Sequence, residues 1–280
     1  MTAAVLRGKI AGLAMLAALS AGAPALSQDA DQLWGWCFGD APDDRTIQGC
    51  DAVIAASRGS QKQQAGAFYN RGVARRNKGQ LDLALQDYGQ AIKLDPTDAD
   101  IFYNRGVVLQ SLGQVDAAIA DYDAAIRLKP DFAMAFNNRG VLHRVKNQTD
   151  HALQDYAQAI RIDPRHAGAL NNRCTLRAIM GQLEAAVADC DESLRLRPNV
   201  ADALASRGLA YLKLSQLDAA IRDYDAALRA KPQMAEALFG RGVARRKKGD
   251  IVGGAGDIAA AKAAQSNIAE LYATYGVSGF

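Results

Sequence analysis

Four cysteines, three histidines and a recurring asparagine are the side chains of this 280-residue sequence that could do chemistry. Cys37 and Cys50 form one local pair, Cys174 and Cys190 another. Such pairs can serve as redox centres, metal ligands or disulfides, but neither a C-x-x-C nor a Cys/His spacing of zinc type occurs. His143, His151 and His166 fall on different elements and share no ligand spacing. There is no phosphate-binding loop, nucleophile elbow or H-E-x-x-H motif. The chain therefore reads as a non-enzyme with no cofactor and no metal site. Asparagine stands at Asn70, Asn104, Asn138 and Asn172, followed in the same register by Ser206 and Gly240. A carboxamide carries both a donor and an acceptor, so a row of them can pair with a peptide backbone. The competing reading is that each bonds across a turn or to solvent. Asparagine is a weak helix former, and four in one register argue for a purpose.

The elements that must carry these residues are helices in a fixed repeat. In Ala99–Phe132, Phe102, Gly106 and Leu109 fall on one face of a first helix, and Gly113 supplies a left-handed residue that ends it. Val115, Ala118, Ile119, Tyr122, Ala125 and Ile126 form the apolar stripe of a second helix, and Pro130 closes the unit. Pro96, Pro130, Pro164, Pro198 and Pro232 recur every 34 residues. Arg71, Arg105, Arg139, Arg173, Arg207 and Arg241 keep that phase, as do Asp87, Asp121, Asp155, Asp189, Asp223 and Asp257. Three residue types in step, proline in five copies and arginine and aspartate in six, signal a solenoid.

This pattern resembles the tetratricopeptide repeat (TPR) family, whose signature falls on Phe102, Gly106, Leu109, Ala118, Tyr122, Ala125 and Pro130. Arg105 stands where the family usually has an aliphatic residue. The resemblance covers Ala65–Ile268 and implies an all-α, TPR-type helix-turn-helix solenoid of about six repeats with N- and C-terminal caps. It also implies a protein or peptide partner in a concave groove, with Asn70, Asn104, Asn138 and Asn172 making backbone contacts beside Tyr69 and Tyr103. The groove face comprises positions two, five, six and nine of each first helix, with positions four, eight and eleven buried. The family subset that grips a C-terminal carboxylate has lysine where Tyr69 stands, so no carboxylate clamp is expected.

Slots within the repeat also sort the cysteines. Cys174 replaces the glycine of a first helix and Cys190 the tyrosine of its second helix, two slots that face each other. Ile47–Asp51 aligns with Val187–Asp191, cysteine on cysteine, so Cys37 and Cys50 would do the same in a degenerate, shortened repeat. In an oxidising compartment such pairs are disulfides, each closing a loop of about 15 residues and contributing roughly 3 kcal/mol. The paired Arg and Asp of every repeat read as a structural ladder rather than a recognition stripe, each Arg reaching an Asp on a neighbouring second helix.

Residues 1–27 read as a secretory signal: Arg7 and Lys9, an apolar run from Ile10 to Ala23, then the small-residue site Ala25-Leu26-Ser27 before a cut at Gln28. That run is shorter than the roughly 20 residues a membrane span needs. Export follows, to a periplasm if the source is a Gram-negative bacterium, with no stable membrane span after cleavage. The formal charge of +3 falls to about +1 without the leader and calls for neither nucleic acid nor an anionic membrane. Residues 28–64 read as an N-terminal cap, in which Trp34 and Trp36 cover the end of the stack. Residues 65–268 hold six repeats, and 269–280 a capping helix and tail. Asn267–Tyr275 is expected to be helical and to cover the open end of the last repeat. The functional expectation is an exported interaction scaffold. The alternative is a structural assembly factor of a cell-envelope complex that uses its convex surface.

Overall fold

The computed structural model describes residues 24–57 and 59–278, and the side chains of residues 24–28 are not among them. The expected leader lies outside the described residues except for its last four. Those residues open the first helix, Pro24–Phe38 (α1). The chain then forms α2 (Asp43–Ala55), α3 (Gln61–Asn77), α4 (Leu81–Leu94), α5 (Ala99–Ser111), α6 (Val115–Leu128) and α7 (Ala133–Val145). There follow α8 (Thr149–Ile162), α9 (Ala167–Ile179), α10 (Leu183–Leu196), α11 (Ala201–Lys213), α12 (Leu217–Ala230), α13 (Ala235–Lys247), α14 (Ile251–Ala264) and α15 (Ile268–Thr274). Every described element is a helix. Two compact units result, divided within α7: residues up to Leu142, and residues from His143 onward.

Each helix pair is closed by the same turn. The second residue after the first helix is left-handed in all six repeats: Gly79, Gly113, Asn147, Gly181, Ser215 and Gly249. The next backbone N–H then reaches back to the last turn, as from Gln80 to Arg75 (2.9 Å) and from Gln182 to Arg177 (2.9 Å). This pairing satisfies carbonyls that a helix end leaves open. Further along, the two helices meet at a glycine. A Cβ on Gly106 would lie 2.8 Å from the Tyr122 ring, and one on Gly72 2.9 Å from Tyr88. The absent side chain is what lets each tyrosine be fully buried. At α9 and α10 the glycine and tyrosine are gone, and Cys174 is bonded to Cys190 instead.

In the first unit, α1 and α2 form a shortened pair joined by the Cys37–Cys50 disulfide. Trp34 packs with Phe38 beside this bond, their rings 4.7 Å apart. The pair docks on α3 through Gln64, which donates to the Val53 carbonyl (3.2 Å), and Asn70, which donates to the Cys37 carbonyl (3.1 Å). In the second unit the three glycines of α14, Gly253, Gly254 and Gly256, do not break it, and the helix runs from Ile251 to Ala264.

Candidate functional site

The arginine at position seven of the first helix ties its helix pair together in α3, α5, α9, α11 and α13. Arg105 grips Asp121 with two bonds of 2.7 Å, and Arg173 grips Asp189 at 2.8 and 2.6 Å. The partner is thus the second helix of the same repeat, and the aspartates are almost wholly buried. A two-pronged guanidinium bond is what makes a buried carboxylate tolerable. A second acceptor was not foreseen in the sequence. Arg71 also reaches Asp51 (2.5 Å), Arg139 reaches Asp123 (2.6 Å), Arg207 reaches Asp191 (2.6 Å) and Arg241 reaches Asp225 (2.7 Å). These aspartates stand 20 residues before Arg71 and 16 before the others, at position 25 where the preceding repeat has one. That spacing was the available signal.

In the first unit the asparagine row proves to be a lacing between first helices. The Asn104 amide donates to the Tyr69 hydroxyl (3.0 Å) and to the Asp100 carbonyl (2.8 Å), and its oxygen accepts from Arg76 (2.8 Å). Asn138 donates to the Tyr103 hydroxyl (3.2 Å) and accepts from Asn137 (3.1 Å). At Asn104 and Tyr69 this corrects the expectation of groove contacts open to a partner. Asn104 and Tyr69 are each 3% exposed, because α3 and α5 pack closely enough to enclose the tyrosine–amide bond. Tyr103, Asn138, Asn137 and Asn70 remain half-buried at the surface. Burial holds the Tyr69 and Tyr103 phenols above their usual pKa, so both stay protonated. A phenol that accepts from an amide keeps its own proton to donate.

The second unit treats the equivalent face differently. Asn172 is half-buried on α9. Ser206 bonds the Thr175 hydroxyl (2.7 Å) and the Asp202 carbonyl (2.8 Å). Gly240 makes room for Tyr224, whose hydroxyl lies 2.3 Å from where a Cβ would be. The last helix, expected to cover the open end of the last repeat, packs against both of that repeat's helices, α13 and α14. The Tyr272 hydroxyl donates to the Glu236 carbonyl (2.6 Å), its ring stands 4.8 Å from Phe239, and Lys213 donates to the Tyr275 carbonyl (2.7 Å).

Sequence profiles described as TPR repeat and tetratricopeptide repeat match residues 72–113, 99–132, 134–166, 176–233 and 205–268. The chain belongs to the tetratricopeptide repeat family. The TPR fold recurs in solved structures. The pilF protein of Pseudomonas aeruginosa is 20% identical, with a TM-score of 0.64 over 76% of this chain and 98% of that one. A TPR protein of Parabacteroides merdae is 18% identical, with a TM-score of 0.64 over 89% and 100%. YrrB, described as having an unusual peptide-binding site, is 21% identical, with a TM-score of 0.53 over 68% and 98%. No curated protein sequence matches significantly. TPR repeats are protein-interaction modules, and that coarse role is this protein's. Among the described residues no helix is long and apolar enough to cross a membrane.

Proposed function

We propose that this TPR protein is an exported scaffold that holds an extended segment of a partner protein. The segment lies along the first-helix face of the first unit, beside Tyr103, Asn137, Asn138 and Asn70. The observation that carries this reading is the Asn138–Tyr103 pair at the surface, backed by the buried Asn104–Tyr69 pair one repeat earlier. The buried pair fixes the helices, and the surface pair presents amide and hydroxyl groups whose orientation is already set. Preorganised groups spare binding the entropy of ordering them. YrrB, which shares the fold, has a peptide-binding site. Export is supported by the leader-like residues 1–27 and by disulfides, which persist in oxidising compartments.

The test replaces Asn138 by Ala together with Tyr103 by Phe, which removes both halves of the bond and strands neither. A partner captured from an envelope extract should bind the double variant at least tenfold more weakly by titration, a difference of about 1.4 kcal/mol. Unchanged affinity with intact helical content, joined to a loss in Arg127→Glu and Arg161→Glu, would transfer the function to the outer surface.

A further inference from the structure

One repeat of the second unit is closed by different chemistry from the others. In α3–α4, α5–α6 and α11–α12 a first-helix glycine faces the ring of a second-helix tyrosine. A Cβ on Gly72 would lie 2.9 Å from Tyr88, one on Gly106 2.8 Å from Tyr122 and one on Gly208 2.9 Å from Tyr224. Each ring is fully buried and plugs its helix pair. In α9–α10 the two slots hold Cys174 and Cys190, each 0% exposed and joined by a disulfide. Two cysteine side chains carry fewer heavy atoms than the tyrosine they replace. Without the bond the pair has no plug, and an underfilled core slot weakens the packing around it.

The surroundings make this slot matter. Arg173 and Asp189 immediately precede the two cysteines in the chain. The nearly buried Asp189 carboxylate takes both Arg173 (2.8 and 2.6 Å) and Arg177 (2.7 Å). If α9 and α10 part, that carboxylate loses the paired geometry that makes its burial tolerable. The Cys190 sulfur lies 3.5 Å from the Ala203 carbonyl on α11, and both cysteines belong to the apolar cluster that continues through α11 and α13 to Tyr272. Stability in a repeat stack passes from neighbour to neighbour, so loosening here reaches the helices that follow. The Cys37–Cys50 bond sits differently. It joins α1 to α2, whose packing partner in the stack is α3.

We propose that Cys174–Cys190 is a redox-set latch on the second unit: with both thiols free α9 and α10 part readily, and the pair closes when the disulfide of a thiol oxidant joins them. In that step one cysteine thiolate attacks the oxidant's disulfide, making a mixed disulfide and releasing the oxidant's second sulfur as a thiolate. The other cysteine, deprotonated, attacks the chain's own sulfur in the mixed disulfide. This closes Cys174–Cys190 and frees the oxidant as a dithiol. The chain gives up two electrons and two protons, and the oxidant takes both. Because both sulfurs are enclosed, an oxidant reaches them only while the pair is open, and the finished bond is shielded from thiol reductants. A chain made under reducing conditions therefore stays loosely packed in its second unit, a state that can be threaded through an export channel, and is locked after arrival. Where the locking happens rests on the export reading. The redox dependence of the fold does not, and neither depends on the asparagine-lined face of the first unit.

The experiment compares the full chain with its disulfides intact and the same chain reduced by dithiothreitol in urea, then returned to buffer with the reductant present. Hydrogen-exchange protection of α9, α10 and α11 should fall at least tenfold on reduction, and oxidised glutathione should restore it. Cys174→Gly/Cys190→Tyr, which rebuilds the glycine–tyrosine contact and keeps Cys37–Cys50, should hold these helices protected with or without reductant. Cys174→Ser/Cys190→Ser should match the reduced wild-type chain under both conditions. Equal protection of α9–α11 in the reduced and oxidised wild-type chains would overturn the proposal and leave the bond a passive staple. An equal fall on reduction in Cys174→Gly/Cys190→Tyr would overturn it by assigning the effect to Cys37–Cys50. Protection of the serine variant equal to that of the oxidised chain would overturn it as well, whatever the rebuilt contact does. The export reading is decided separately, by whether the natural chain begins at Gln28.

Discussion

Two stretches of the same repeat, α3 to α7 in the first unit and α9 to α13 in the second, solve one problem in opposite ways. First helices set side by side leave a face that is neither core nor ordinary surface. The first unit laces that face with amide–phenol bonds, Asn104 to Tyr69 and Asn138 to Tyr103. The second unit keeps one hydroxyl link, Ser206 to Thr175, gives up the lacing at Gly240, and sets Tyr272 and its neighbours over that face. A repeat position is therefore a slot whose content depends on what lies over it. The same asparagine is scaffold where it is enclosed and contact group where it is not.

Moving the amide between units should break the comparison most sharply. Gly240→Asn would drive a side chain into the fully buried Tyr224, and overpacking of this kind costs about 1–3 kcal/mol. Urea unfolding should show the loss, and hydrogen exchange should place it in α12, α13 and α15. Next in size is the reverse change. Asn104→Ala strands the Arg76 donor and uncouples Tyr69, a loss of about 1–3 kcal/mol for buried groups left unpaired. Ser206→Ala, which breaks a link to a single side chain, should cost less in the same assay.

The repeat register and the left-handed turn residues were legible because both are local and periodic. So were the cysteine pairs, since glycine and tyrosine slots that touch in one copy touch in all. Three things were not. The period shows which residues are equivalent, not which neighbour a side chain leans on, so Asp51, Asp123, Asp191 and Asp225 went unpaired with their arginines. Burial of Asn104 and Tyr69 depends on the spacing of α3 and α5, which no single helix encodes. The docking of α15 was hidden by its own register. Ala269 falls 34 residues after Ala235, which places a helix there, but not the bonds of Tyr272 to Glu236 and of Tyr275 to Lys213.

The smallest expected difference is a pH effect confined to one unit. All three histidines lie in the second. His166 caps α9 by accepting the Ala169 N–H at 3.0 Å, which needs a neutral ring. Burial lowers its pKa below the ordinary value, with Asp163 opposing. The folded state thus binds fewer protons than the unfolded chain between that lowered value and about 6.5, so stability is full above the window and falls as pH drops through it. Protection factors of the α9 amides, with the intrinsic pH dependence of exchange divided out, should be lower at pH 5 than at pH 7, by less than about 1 kcal/mol of local stability. The asparagine row should not respond. His166→Asn should keep the cap and remove the effect.

The arginine ladder has a mechanical consequence. Where an arginine holds aspartates of its own repeat and of the one before, as Arg207 and Arg241 do, load passes through the guanidinium from repeat to repeat. Gly89 and Ala157 stand where the preceding aspartate would be for Arg105 and Arg173. At those two seams no arginine of the ladder joins the repeats, and tension passes to the remaining contacts, which at the first include the Asn104 bonds to Tyr69 and Arg76. The stack has a soft joint in each unit, between α4 and α5 and between α8 and α9, where repeats can shift while each helix pair stays closed.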